Sequence, residues 1–254
     1  MTWIETKEFL DFKVDQYNTP AFIEDDPIQI PHRFSKKEDI EIIGFLIATI
    51  AWGNRKMILK SGERLLNIFG NSPFDFVMEY KTDKTYYFDS FVHRTFNSID
   101  LAYFVQALQN IYIHHLGMEK IFTKYALNDS LQTSISEFKK IFFELPHPKR
   151  TQKHISDPLK NSAAKRINMF LRWMVRNDSK GVDFGLWKSL HASQLSCPLD
   201  IHSGTIARKF GLLNRKQNDA KAVKELDIEL RRMDPLDPVK YDFALFGLGV
   251  YNEL

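Results

Sequence analysis

Apolar residues recur at three- and four-residue spacing along most of the chain and almost nowhere alternate strictly with polar ones, which is the signature of helices. Residues 3–16 read as a first helix, and residues 18–37, with three prolines, as an ordered loop. Glu38–Trp52 is strongly apolar and reads as a central helix; Gly53-Asn54 breaks it, and Arg55–Phe69 continues as another. A short helix is predicted over 73–80, with Pro73 at a first-turn position that needs no amide donor. Ser98 is predicted to cap a helix over Ile99–His115. Further helices are predicted over 117–127, 130–145, 162–176, 183–190, 201–210, 218–232 and 238–247, with 146–161 a basic, proline-punctuated loop.

One stretch departs from this rhythm. Residues 84–96, KTYYFDSFVHRTF, are aromatic and β-branched, but no partner strand stands out, which favours irregular structure or a short helix. With no βαβ rhythm and mostly short connections, the chain is expected to be all-α. The expected architecture is a compact bundle, a single domain over 1–254, of two lobes with a cleft between them. A chain of 254 residues is long enough to bury a sizeable core, and its 21 Phe make that core ring-rich.

Composition removes several functions. A single cysteine, Cys197, allows no internal disulfide and no four-cysteine metal site, and fits a reducing, cytoplasmic setting. Eight histidines without His-x3-His spacing give no metal site, and no cofactor is expected. The N-terminus MTWIETKEFLDF lacks the apolar centre of a signal peptide, and the longest apolar run, Ile42–Trp52, is about half a membrane span, so no membrane partner is expected. Net charge is only +3, yet residues 139–188 carry 12 Lys/Arg against 4 Asp/Glu. Such a band fits either a polyanion-facing surface or a solvated helical face.

Within that band, SAAKRINMFLRWMVR (162–176) is the best-defined amphipathic helix, with Asn161 or Ser162 as its cap. Ile167, Phe170, Leu171 and Met174 form the apolar stripe, while Lys165, Met169, Arg172 and Arg176 share another face. Lys165 falls in the first turn, where the helix dipole disfavours a cation, beside a second cation, Arg166. An uncharged lysine amine can attack a carbon and form a Schiff base. Thirty-five residues on, CPLDIHSGTIARKFGLL (197–213) opens a helix at Asp200. An aspartate there is either a plain N-cap or a catalytic carboxylate.

The pairing of a first-turn lysine with a Pro-Leu-Asp-Ile-His helix start resembles the helix-hairpin-helix DNA glycosylase superfamily, most closely its archaeal 8-oxoguanine branch. The resemblance rests on Pro198, Asp200, His202, Arg208 and Gly211, on the A-x-K context of Lys165, and on Asp242 and Phe246 in KYDFALFGLG. IGFLIATIAWGNRK (43–56) looks like the superfamily's early helix and its DNA-facing turn, here Trp52, Gly53, Asn54 and Arg55. The whole chain, including DDPIQIPHRF and HRTFN, also looks like a bacterial family of uncharacterised proteins.

This likeness implies a glycosylase and abasic-site lyase that removes a damaged base, such as an oxidised purine, with Lys165 and Asp200 as catalytic pair. It also implies a base pocket of Asp242, Phe246 and Trp52, and nucleic-acid contacts from Asn54, Arg55, Arg166, Arg172, Arg176 and Arg208. DNA is favoured over RNA as partner. Two departures weigh against a simple transfer. The glycine-rich L-P-G-x-G hairpin is missing, HISDPLKNSAAK before Lys165 having no glycine, and the iron–sulfur cysteines are missing too. A non-catalytic DNA- or RNA-binding protein on the same scaffold, and a helical protein-interaction domain, remain open alternatives.

Overall fold

The structure is a computed structural model that describes residues 1–83 and 85–251. Twelve α-helices follow one another among the described residues. They are α1 (Trp3–Tyr17), α2 (Ala21–Asp25), α3 (Lys37–Ile50), α4 (Arg55–Phe69), α5 (Pro73–Glu79), α6 (Ser98–His114), α7 (Met118–Lys124), α8 (Gln132–Phe142), α9 (Lys165–Val175), α10 (Ile201–Lys209), α11 (Ala220–Met233) and α12 (Tyr241–Tyr251). The described sheet is one antiparallel hairpin, β1 (Val92–His93) with β2 (Phe96–Asn97). The fold is all-α.

Four features differ from the sequence reading. Within 18–37, read as a loop, Ala21–Asp25 forms α2, and Pro27–Gln29 and Pro31–Arg33 form 3-10 turns. Within 84–96, Lys84 lies outside the described residues and 85–88 is a 3-10 turn, but Val92–His93 does find a strand partner, in Phe96–Asn97 just beyond the tight turn. Arg94, at φ 54, supplies the left-handed residue that this turn needs. The predicted helix over 183–190 does not form. Its amides instead turn back onto the end of α9: Phe184 and Trp187 donate to the Trp173 and Met174 carbonyls at 2.9 Å each. Gly185, at φ 57, lies so close to Asn177 that a Cβ would come within 2.5 Å of the Asn177 Cβ. The caps also shift. Asn97, not Ser98, caps α6 in a reciprocal pair with Asp100, and α9 begins after Ala164, at φ 47, rather than at a side-chain cap from Asn161 or Ser162.

The centre of the molecule is α3, buried on nearly every face. Its Phe45 ring meets Phe138, Phe142 and Phe170 at 5.5 Å and Phe104 at 5.8 Å. The two acids on its buried surface find donors, as buried polar groups must. Glu41 accepts from Tyr112 Oη and Trp187 Nε1 at 2.6 Å each, and Asp39 from the Phe74 amide at 2.7 Å.

Against α3 packs α9, with nine consecutive buried residues from Ile167 to Val175. Two arginines are therefore carried into the interior. Arg172 pairs with Asp183 at 3.2 Å and with Asp242 of α12; Arg176 pairs with Asp178 at 2.7 Å, Asp237 at 2.9 Å and Asp183 at 3.1 Å. Both guanidinium groups lie over the Phe243 ring, at 4.3 and 5.3 Å. On the far side of this network α12 packs against α1 and α10. Gly247 and Gly249 allow that approach: a Cβ at 247 would meet the Tyr17 ring at 2.4 Å, and one at 249 would meet His202 Cβ at 2.9 Å. No helix among the described residues is long and apolar enough to cross a membrane.

Removing one partner from a buried ion network strands the remaining charges. Arg176→Met is expected to lower the unfolding free energy by about 3–5 kcal/mol, read by urea denaturation. Lys188→Ala, at an exposed position, should stay within about 0.5 kcal/mol of the native chain.

Candidate active site

A cavity of about 780 Å³ opens between the α3–α4 corner and α9 on one side and α10 and α12 on the other. Its walls are apolar over much of their extent, with Phe22, Trp52, Met169 and Phe246 among them, and several charged groups converge on it. Lys165 stands at the first residue of α9 and Asp200 caps α10. Lys165 Nζ and Asp200 Oδ2 are 3.8 Å apart, with side chains 27% and 23% exposed, so both stay reachable from the cavity. The Met169 sulfur lies 3.8 Å from the same amine.

The carboxylate of Asp200 divides its two oxygens between two tasks. Oδ1 accepts from the Ser203 amide at 3.0 Å and the Ser203 hydroxyl at 3.2 Å, closing a reciprocal cap on α10. Oδ2 is the oxygen nearest the lysine. The capping and chemical readings of this residue are therefore compatible. Asn218 fixes the Asp200 backbone from behind, donating to its carbonyl at 2.7 Å.

Deeper in the cavity, Asp242 is buried. Burial is the main cause that pushes its carboxyl up to about 6; Arg172 opposes the rise and the Asp200 charge adds to it. Its Oδ1 faces the Cys197 thiol at 3.8 Å. That thiol is itself held well above its ordinary range by burial, and the surrounding aspartates add to the effect. Phe246 is partly buried and has the Arg55 guanidinium 5.5 Å above its ring. Trp52 lines the cavity wall, with its buried indole N–H unpaired among the described residues and the Arg94 guanidinium 4.7 Å above its ring.

Of the six residues expected to contact nucleic acid, two keep surfaces suited to it. Asn54 is exposed and caps α4, and Arg55 sits at the cavity rim. Three are turned inside, and Arg208 is half-buried against neutral partners. Arg172 and Arg176 are locked in the buried aspartate network and cannot reach a phosphate. Arg166 turns inward, donating to the Thr49 carbonyl and, at 3.2 Å, to that of His154, and burial lowers its pKa to about 10. Arg208 braces the turn after α10, donating to the Arg215 carbonyl at 2.9 Å and to Asn218 at 2.6 Å.

The structure also adds residues that the sequence reading passed over. Asp26, just before Pro27, is buried in the cavity wall and caps the following 3-10 turn through the Ile28 amide at 3.0 Å. Burial raises its pKa, against the pull of that amide and of Arg172, Arg55 and Lys165. Phe22 lines the cavity too, as does His202 of the Pro-Leu-Asp-Ile-His helix start. In the sequence Asp26 stands within DDPIQIPHRF, whose Asp-Pro step marks a turn and says nothing about a cavity. Among the described residues, no group of three or more His, Cys, Asp or Glu is arranged to hold a metal ion.

Residues 26–251, almost the whole chain, match the family described as Protein of unknown function (DUF2400). The chain belongs to that family. No curated protein and no solved structure matches it. The matched span begins at Asp26 and takes in Trp52, Lys165, Asp200, Asp242 and Phe246, so the cavity-lining residues from Asp26 onward fall within the family's span.

Asp242 gives the cavity a measurable signature. Because folding raises its pKa, protonation favours the folded state: the contribution is full below about pH 4 and is lost as the pH rises through about 6. The stability of the native chain relative to Asp242→Asn should decline across that interval and level off above it, as read by urea unfolding at a series of pH values. A difference that stays flat with pH would contradict this assignment.

Proposed function

We propose that this protein is a DNA N-glycosylase with abasic-site lyase activity that acts on a damaged base, with an oxidised purine as the favoured class. The observation that carries the proposal is the approach of Lys165 Nζ to Asp200 Oδ2, 3.8 Å, at a cavity of about 780 Å³. That volume falls within the range of small-molecule sites and accommodates a nucleobase turned out of its stack. The resemblance of the Lys165 and Asp200 segments to the DNA glycosylase superfamily supports the same reading.

The chemistry follows from the two groups. The negative Asp200 stabilises the oxocarbenium-like sugar as the C1′–N bond breaks, and the electron pair of that bond leaves with the base, which takes up a proton. Lys165, having lost its proton to Asp200, forms a bond from Nζ to C1′. Opening of the sugar ring then gives the Schiff base from which strand cleavage proceeds. Phe246 offers a face for stacking the extruded base, and Asp242 and Asp26 offer acceptors for its N–H groups.

Borohydride reduces a Schiff base to a stable amine, so it would freeze the protein onto its DNA. The native chain is expected to cross-link to duplexes carrying an abasic site or 8-oxoguanine, and Lys165→Ala to lose the cross-link. Asp200→Asn keeps a competent cap on α10 but should slow trapping by about 10²–10⁴-fold. Undiminished trapping by Lys165→Ala would sink the proposal. DNA binding with no trapping at all would instead favour a non-catalytic binder on this scaffold.

A further inference from the structure

We infer that the cleft between α4 and the β1–β2 hairpin is a binding site for the DNA phosphodiester backbone, holding the strand beside the larger cavity. The inference rests on the DNA reading above and deepens it, because the arginines of α9 are locked inside and the glycine-rich hairpin is missing.

This second cleft encloses about 280 Å³, and Asn54, Lys60, Ser61, Arg64, His93 and Arg94 are among its lining residues. Its charge is one-sided. Helix α4 carries Arg55, Lys56, Lys60 and Arg64 against one acid, Glu63, which is bound to Arg33. The segment 90–97, SFVHRTFN, contains no acid. Lys60 and Arg94 are exposed and have no acidic partner among the described residues. Arg64 is fixed without being neutralised. It donates to two carbonyls, Val92 at 3.2 Å and Ser90, and lies 5.2 Å over the Phe91 ring. A cation held by neutral groups keeps its charge for an outside anion. One end of the cleft is lined by Asn54 and Met57, the cap and first turn of α4, where the helix dipole adds positive potential.

The two cavities meet at Trp52 and Gly53. Trp52 lines the larger one, and the Arg94 guanidinium, which lines the smaller, lies over its ring. A Cβ on residue 53 would come within 2.6 Å of Arg94 Nε, so glycine is what lets the guanidinium rest against the backbone there. A strand with one nucleotide in the larger cavity would therefore carry neighbouring phosphates across this cationic cleft.

The test measures equilibrium binding of a short undamaged DNA duplex by fluorescence anisotropy between about 50 and 200 mM salt. No chemistry is involved. Lys60→Ala/Arg94→Asn should reduce the slope of log K against log salt by about 2, since each lost phosphate contact removes about one unit. Asn tolerates the left-handed backbone at position 94. The single variant Lys60→Glu, on an exposed helical face, should lower the slope by about 1 or more and serves if the double variant unfolds. Lys221→Ala, at an exposed position of α11, should leave it unchanged. An unchanged slope in the cleft variants, an equal loss in Lys221→Ala, or no salt-dependent binding by the native chain would overturn the inference. Cleft-dependent binding without borohydride trapping would thus remove the lyase reading and leave the cleft, and trapping with an unaffected slope would do the reverse.

Discussion

Two guanidinium groups in the interior set the terms for the rest of the molecule. Nine consecutive buried residues on α9 carry Arg172 inside, and Arg176 follows at the helix end. A buried cation must be met by carboxylates with good geometry, and here they come from three places: residues 178 and 183 in the segment after α9, Asp237 before α12, and Asp242 within it. Satisfying the arginines thus fixes α9 against α12. Because α12 also carries α10, the same network fixes the start of α9 against the start of α10, where Lys165 and Asp200 stand. The approach of these two side chains is a by-product of pairing charges in the core.

The arginines of α9 and α10 and those of α4 and the hairpin form two populations. Those on α9 and α10 hold the frame: Arg166 ties α9 to the end of α3 and to the His154 loop, and Arg208 braces the turn whose Asn218 supports Asp200. Those on α4 and the hairpin face outward, their charge unmatched by acids on the same elements. Aromatic rings serve both populations. Phe243 lies under the inner arginines, and Trp52, Phe91 and Phe246 lie under the outer ones. A cation stacked on a ring is oriented but not neutralised, which suits a group that must meet a ligand.

Helical periodicity made most of the fold legible, because an apolar stripe at three- and four-residue spacing reflects local geometry. It failed where distant parts of the chain decide. Residues 183–190 look helical in isolation, yet the unsatisfied carbonyls at the end of α9 recruit their amides. The polar stripe of Lys165, Met169, Arg172 and Arg176 looks like a solvated face, yet Lys165 lines a cavity and the two arginines are buried. Periodicity says which residues share a face, but it cannot say that aspartates from 2 to 70 residues away cover most of that face. Lys165 and Asp200 could be paired in advance only through the family likeness of their segments, and Asp26 carried no comparable mark.

The lone thiol gives this architecture an internal gauge. Cys197 is sealed in the wall behind the cavity: its amide is held by Asp227 at 2.9 Å, and its sulfur lies near Asp242 with its proton firmly retained. A thiol-reactive dye can reach it only when the packing of α10, α11 and α12 around it opens, so the labelling rate reports those excursions. The residue three positions before Asp200 thereby reports how rigidly that carboxylate is held, with no engineered probe and no competing cysteine elsewhere in the chain.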